Sequence, residues 1–193
     1  MSNSLADKLL RFGQVLGDEL KGYSPGLVEI RWLELWTRWA NPRLRAEGLR
    51  RLGIQVAPGV SVGGGYLFTG SRGAKKNLVL GANCEVKNGV FIDLSAHVEI
   101  GANAKIGERV MILTSSHELG PREHRAGAVQ TAPVSIHEGA SIGKGSIILP
   151  GVVIGARAVV EENSVVAKEV LPETRVRGNP AAVVKVTTSE SST

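Results

Sequence analysis

The chain has 193 residues, a net charge of +5 and an aromatic content of only 4%. No apolar run is long enough to span a bilayer, and the N-terminus lacks the features of a secretion signal, so we expect a cytoplasmic protein. The basic balance suits an anionic ligand or a membrane surface, although a solvated basic surface is the simpler explanation. We expect no nucleic-acid partner.

Residues 1–53 are predicted to form a helical extension. Leucines spaced by three or four residues form one apolar stripe, and three tryptophans share one side of a second helix. Asn41 followed by Pro42 is typical of a helix start and Gly53 of a helix end, which predicts a third helix over 43–52. We expect these helices to cap the domain that follows or to pack on a neighbouring subunit. Peripheral membrane contact through their arginines, with a membrane-associated protein as the result, is the alternative.

After residue 53 an aliphatic residue recurs at every sixth position, and this period is the strongest signal in the chain. Small or β-branched residues recur four positions after each aliphatic, and glycine often follows it directly. Six residues make one short strand and one turn, so three such units must complete a coil and successive coils must stack. The period predicts a mainly β protein, a parallel β-helix of hexapeptide repeats over 54–186, with a disordered polar tail over 187–193. The spacing does not fix the hand of the coil.

Two interruptions divide the repeat. Ile92 and Ile100 are eight residues apart, which indicates an insertion of two residues between them. The repeat also stops after Ile112 and resumes at Ile136, and the polar residues between are predicted to project from one corner as a loop over 113–135.

His117 lies at the base of this predicted loop. Counting back three turns from the loop places His97 beneath His117, with Asp93 on the same face and Asn88 on the preceding turn. An imidazole near a carboxylate and an amide suits a general base that deprotonates a hydroxyl. A lone histidine does not by itself establish a catalytic role, so catalysis is at this point a hypothesis.

Several motifs carry a resemblance to a known family. They are IDLSAHVEIG (92–101), LTSSHEL (113–119), ILPGVVIG (148–155), VVAKEVLPET (165–174) and RGNPAAVVK (177–185). The chain resembles hexapeptide-repeat acyltransferases, in particular O-acetyltransferases of the colanic-acid and capsule type and, more distantly, the maltose and galactoside acetyltransferases. The resemblance extends over residues 44–186.

The resemblance implies a left-handed β-helix that assembles as a homotrimer, with acetyl-CoA between adjacent subunits and no metal requirement. His117 matches the general base of the family, which transfers the acetyl group directly to a hydroxyl. The implied acceptor is a sugar, a polysaccharide precursor or a glycosylated metabolite. Asp93 and Asn88 match positions near the acceptor in related enzymes. In the loop, Arg122 and His124 belong to a polar cluster suited to a sugar or an acidic group.

For the acetyl-CoA donor, the same resemblance points to seven positions in the later repeats and near the C-terminus. They are Ser141, Gly143, Lys144, Lys168, Arg177, Asn179 and Lys185. The family often has tryptophan where Ser141 stands, so this chain lacks that aromatic contact. Asn179 and Pro180 are also explained as the turn that ends the domain.

Two rival functions remain open from the sequence. A γ-type carbonic anhydrase binds zinc through histidines of adjacent subunits, but that family has two histidines separated by four residues, whereas His117 and His124 are separated by six. Adventitious metal binding by His97, His117 and His137 stays possible. The other rival is a non-catalytic scaffold, which predicts no affinity for CoA.

Overall fold

The computed structural model of the chain describes residues 42–65, 67–69 and 74–186. The helices predicted within residues 1–41 and the predicted tail over 187–193 lie outside the described residues. The described part begins with helix α1 (Pro42–Arg51), and a short 3-10 helix (Ala74–Asn77) precedes the second coil.

Strands stack into the three faces of a triangular prism, here called faces A, B and C, and their pairing is parallel except in the last pair of face B, which is antiparallel. Face A consists of β1 (Gln55–Val56), β4 (Leu78–Leu80), β7 (Val98–Ile100), β12 (Val134–Ile136) and β15 (Val153–Ile154). Face B consists of β2 (Ser61–Val62), β5 (Glu85–Val86), β8 (Lys105–Ile106), β13 (Ser141–Ile142), β16 (Val159–Val160), β18 (Thr174–Gly178) and β19 (Ala181–Val186). Face C consists of β3 (Leu67–Thr69), β6 (Phe91–Asp93), β9 (Met111–Ile112), β14 (Ile147–Ile148) and β17 (Val165–Val166). The predicted parallel β-helix is therefore confirmed.

The aliphatic residues of the hexapeptide period fill the interior of the prism. Ile100, Ile106, Ile112 and Ile136 are fully buried. The stacking register follows the period across the first interruption, because Ile92 pairs with Ile112 as predicted. Each coil therefore places its aliphatic side chains directly over those of the coil before, which buries one continuous apolar column.

The corners depend on residues with little or no side chain. Ala104, Ala140 and Ser146, four positions after an aliphatic, are completely or almost completely buried. A Cβ on Gly101 would lie 2.7 Å from the backbone nitrogen of Glu138 in the next coil. The glycines that follow an aliphatic thus permit close stacking of coils. The left-handed backbone conformation falls two residues later, for example at Asn103 with φ 58°.

The predicted loop over 113–135 is an antiparallel hairpin. Strand β10 (Ser115–Leu119) leaves the corner between faces C and A, and β11 (Ala126–Thr131) returns to it. The prediction that His97 lies beneath His117 is wrong. His97 directly precedes Val98, which pairs with Val134, because the chain departs from the coil at Ser115 and carries His117 away from the stack.

Helix α1 packs on the first coil of the prism, in agreement with the predicted capping role. Ala46 and Leu49 are buried against the core. The Arg50 guanidinium donates to the carbonyl oxygens of Val56 and Ala57 at 2.8 and 2.7 Å, and Arg45 donates to that of Val62. These contacts satisfy backbone acceptors that have no preceding coil. Among the described helices, none has the length and apolar character needed to cross a membrane.

Candidate functional site

His117 occupies an exposed position near the start of the hairpin, two residues after the chain leaves the prism. Its Nδ1 lies 3.0 Å from the carbonyl oxygen of Gly127 on β11. A carbonyl oxygen only accepts hydrogen bonds, so in the neutral ring Nδ1 carries the hydrogen and Nε2 carries the lone pair. The hairpin thus orients an imidazole whose free nitrogen is a proton acceptor.

The two faces of the hairpin differ in character. His117 is directly opposite Val129, and Leu119 follows on the same side of β10. Leu119 and Val129 are 81% and 61% exposed, so within the part of the chain that the structure describes the imidazole stands beside uncovered apolar side chains. On the other face, Gln130 donates a hydrogen bond to the carboxylate of Glu118. The histidine face is suited to contact another surface.

Asp93 lies at the same corner, on the coil beneath the hairpin, and is only 5% exposed. Its Oδ1 accepts hydrogen bonds from the Ser95 amide at 3.0 Å, the Ser95 hydroxyl at 2.7 Å and the Thr69 hydroxyl at 3.3 Å. Its Oδ2 accepts from the Thr114 amide at 3.2 Å and the Ser115 hydroxyl at 2.5 Å. Burial by itself raises the pKa of Asp93, but the hydrogen bonds outweigh it and lower the pKa to about 2.

The other predicted acceptor residues do not join His117 within one protomer. Asn88 lies in the turn between faces B and C, at the opposite edge of face C, and its Oδ1 accepts a hydrogen bond from the Gly64 amide at 2.8 Å. Arg122 and His124 lie in the hairpin turn and are exposed. They project with the hairpin beyond the prism.

The first three predicted donor residues are brought together on face B. Ser141, Gly143 and Lys144 line a continuous shallow groove along this face, together with Glu162 and Arg175. Lys144 and Glu162 form an ion pair between two adjacent coils, with Nζ and Oε2 3.3 Å apart. The exposed backbone of small residues and flanking cations make this groove a candidate site for an extended, phosphate-bearing ligand.

The remaining predicted donor residues lie around the later coils. Arg177 on β18 forms an ion pair with Glu161, which also lines the groove. Asn179 lies in the turn between β18 and β19, and Lys185 belongs to β19. Lys168 follows β17 and is exposed at the corner between faces C and A. This is the corner that carries His117.

The candidate residues therefore form two groups on opposite sides of the prism. His117, Asp93 and Lys168 share the corner between faces C and A, whereas Ser141 and Gly143 lie on face B. In a triangular section the corner between two faces is opposite the third face. One protomer therefore presents the histidine and the groove in different directions.

Some residues that shape the site were missed at the sequence level. Gly127 and Arg175 lie outside the quoted motifs, and Ser115 lies within LTSSHEL but had no predicted role. Gly120 followed by Pro121 is a turn signal, but the residues on either side include few β-formers, so the sequence indicated the turn and not the strands of the hairpin. Among residues 42–65, 67–69 and 74–186 there is no group of three or more His, Cys, Asp or Glu side chains suited to hold a metal ion.

Known proteins share this architecture. Residues 133–168 match the bacterial transferase hexapeptide family (six repeats). Nodulation protein L of Rhizobium meliloti (strain 1021) is 43% identical over 108 residues, which are 55% of this chain and 58% of that protein. A hexapeptide-repeat-containing acetyltransferase from Vibrio cholerae O1 biovar eltor, solved in complex with acetyl coenzyme A, is 27% identical, with a TM-score of 0.74 over 84% of this chain and 87% of that one. A maltose O-acetyltransferase from Clostridium difficile 630 is 26% identical, with a TM-score of 0.71 over 84% and 88% of the two chains.

These similarities confirm the predicted resemblance to hexapeptide-repeat acetyltransferases, and the repeats fit the left-handed form of the β-helix. The chain spans about half the length of the curated relatives it matches.

Proposed function

We propose that the protein is an acetyl-CoA-dependent O-acetyltransferase that acts on a hydroxyl of a sugar, a polysaccharide precursor or a glycosylated metabolite. The observation that carries this proposal is the exposed His117, whose Nδ1 donates to the Gly127 carbonyl and leaves Nε2 free to accept a proton. The similarity to acetyltransferases, one of them solved with acetyl coenzyme A, supports the choice of donor.

In the proposed reaction, Nε2 of His117 removes the proton of the acceptor hydroxyl while the oxygen of that hydroxyl attacks the thioester carbonyl of acetyl-CoA. The new C–O bond forms, the C–S bond breaks, and the imidazolium returns the proton to the departing CoA thiolate. Transfer is direct and needs no acyl-enzyme. Cys84 is an unsuitable nucleophile because it is buried and burial raises the pKa of its thiol to about 12.

The proposed donor site is the groove on face B, where Ser141, Gly143 and Lys144 lie beside the arginines of β18. Lys168, Asn179 and Lys185 are further proposed contacts for the phosphates or the adenosine. Asn88, Arg122 and His124 are proposed acceptor contacts.

The proposed assembly is a homotrimer in which the histidine corner of one protomer faces the groove of the next. The separation of the two groups on one prism supports it, because neither alone brings a base to a thioester. The apolar face that surrounds His117 is then covered by a neighbouring protomer or by the substrates.

Substitution of His117 tests the function. We expect His117→Ala to reduce acetyl transfer to a good acceptor by 10²-fold or more, and to leave acetyl-CoA binding by calorimetry within about twofold. His97→Ala is the matched control, because this exposed histidine lies at the same corner but remains on the coil. Acceptors are found by measuring CoA release against sugars, nucleotide sugars and lipid-linked glycans.

Unchanged turnover in His117→Ala would remove the assignment of the base. Absence of acetyl-CoA affinity in the parent protein would favour a scaffold, and stoichiometric metal in protein purified without a histidine tag would favour the anhydrase alternative.

A further inference from the structure

Two side chains, those of Asp93 and Thr114, hold the point at which the hairpin departs from the prism. Asp93 lies on the coil beneath, and its Oδ2 accepts hydrogen bonds from the first two residues of the exit, Thr114 and Ser115. The Thr114 hydroxyl adds a second connection, since it donates to the Asp93 carbonyl at 2.9 Å and accepts from the Ala96 amide at 3.0 Å. The neck closes where the Ala132 amide donates to the Thr114 carbonyl.

The chemistry of these contacts requires a carboxylate. Both oxygens of Asp93 accept, and the five donors are amides and hydroxyls of Thr69, Ser95, Thr114 and Ser115. An asparagine has one accepting oxygen, and its NH₂ group would face the donors on the other side. It therefore cannot accept hydrogen bonds from both sets of donors. With its lone pairs committed inside the protomer, Asp93 is poorly placed to bind a substrate hydroxyl.

The position of Ser115 links this network to the histidine. Ser115 and His117 are alternate residues of β10 and therefore share a side of the strand, about 7 Å apart along it. A displacement of Ser115 would also displace the imidazole of His117, because both residues lie on β10, a short and exposed strand. Catalysis by a positioned base is sensitive to displacements of about 1 Å.

We infer that Asp93 is a positioning residue that fixes the start of the hairpin, and through it the imidazole of His117, rather than a contact to the acceptor. This inference rests on the proposed function, in which His117 transfers the proton.

Three variants test the inference. Asp93→Asn removes the double acceptor, and Ser115→Ala removes only the contact that leads to the hairpin. Thr69→Ala is the matched control, because Thr69 donates to Oδ1 of the same carboxylate from the preceding coil, whereas the hairpin residues donate to Oδ2. We expect kcat to fall about 10²-fold in Asp93→Asn and about 10-fold in Ser115→Ala. We expect the KM values for acetyl-CoA and acceptor to stay within about twofold, and Thr69→Ala to keep the parent kcat.

A higher acceptor KM with the parent kcat in Asp93→Asn would overturn the inference and make Asp93 an acceptor contact. Equal losses of kcat in Ser115→Ala and Thr69→Ala would also overturn it, because the effect would then be general destabilisation. If Asp93→Asn does not fold, the comparison of kcat between Ser115→Ala and Thr69→Ala decides whether the inference holds.

A readout without activity separates this inference from the proposed function. Amide hydrogen exchange at Ser116 and Gln130, which pair across the hairpin, should accelerate in Ser115→Ala and not in Thr69→Ala. Unchanged exchange in both variants would overturn the positioning role, even if His117→Ala had confirmed the base. Accelerated exchange would support it even if His117→Ala remained active and the proposed function failed.

Discussion

At the scale of single residues, two polar residues that the sequence analysis assigned to one site differ in exposure and in hydrogen bonding. His117 and Asp93 both lie at the corner between faces C and A, yet the imidazole is exposed and the carboxylate is buried among five donors. Burial favours a neutral acid, but amide and hydroxyl donors on both oxygens stabilise the charged form. Asp93 is therefore a source of stability as well as of geometry.

Acid titration tests this source of stability. The pKa of Asp93 is lowered from the ordinary value of 3.8 to about 2, so its contribution is present above pH 4 and is lost as the pH falls through 2. Between pH 4 and pH 2 we expect the free energy of unfolding of the parent protein to fall by roughly 2 kcal/mol more than that of Asp93→Asn. Urea denaturation at several pH values measures it, and parallel curves for the two proteins would contradict it.

Close stacking of coils makes a second residue-scale prediction. We expect Gly101→Ala to destabilise the protein by about 2–3 kcal/mol, because the new Cβ meets the backbone of the next coil at 2.7 Å. Gly65→Ala is the comparison, since its Cβ enters open space and bears only the cost of a φ of +67°, about 1 kcal/mol. Thermal unfolding of both variants gives the order, and a reversed order would show that coil spacing adjusts freely.

At the scale of elements, the hairpin and the prism carry different tasks. The prism is stabilised by inward aliphatics on every coil, whereas the strands β10 and β11 contain no residue of the buried core. The hairpin therefore contributes its geometry to the site while contributing little to the core. Loops on rigid scaffolds commonly have this role.

Removal of the hairpin tests this division. Ser115 and Thr131 are paired at the neck, so residues 116–130 are replaceable by an Asn-Gly turn. We expect the shortened protein to keep its circular dichroism and its cooperative unfolding, and to lose detectable acetyl transfer. A control that shortens only the tip at 121–124 should keep proton transfer and change the acceptor KM. Full turnover in the first variant would place the base elsewhere.

At the scale of the whole molecule, the fold distributes the candidate residues over opposite sides of the prism. Repetition of one short unit produces flat faces and three corners, and in the described coils buried aliphatic side chains fill the axis of the prism. Binding sites on such a prism must therefore lie on its surface. In the proposed homotrimer, a second prism would complete a cleft for the thioester and the alcohol.

Complementation between inactive protomers tests the shared site. His117→Ala loses the base, and the double variant Lys144→Glu with Arg175→Glu loses cations of the groove. The double variant keeps an intact His117, and His117→Ala keeps an intact groove. When equal amounts of the two are refolded together and assemble at random, these two intact parts meet at about one quarter of the interfaces. We expect about that fraction of the parent activity. Mixtures without recovered activity would contradict a site made by two protomers.

The sequence by itself determined the architecture. An inward aliphatic at each sixth position, with a small residue four places on, is a local pattern that specifies strand, turn and core together. The stacking of Ile92 on Ile112 follows from counting. The six-residue period continues after each interruption, because each block of repeats again places its aliphatic residues in the same core.

The tertiary structure decided the contacts of the site. The hydrogen bond from His117 to Gly127 joins residues ten positions apart across a hairpin, and Asp93 meets Ser115 from one coil below. Such partners depend on where an irregular segment departs and returns, which no repeat encodes. For the same reason His97, one coil back by counting, does not lie beneath His117. Periodicity propagates along the prism through identical contacts, whereas a site at its interruption depends on contacts that occur once.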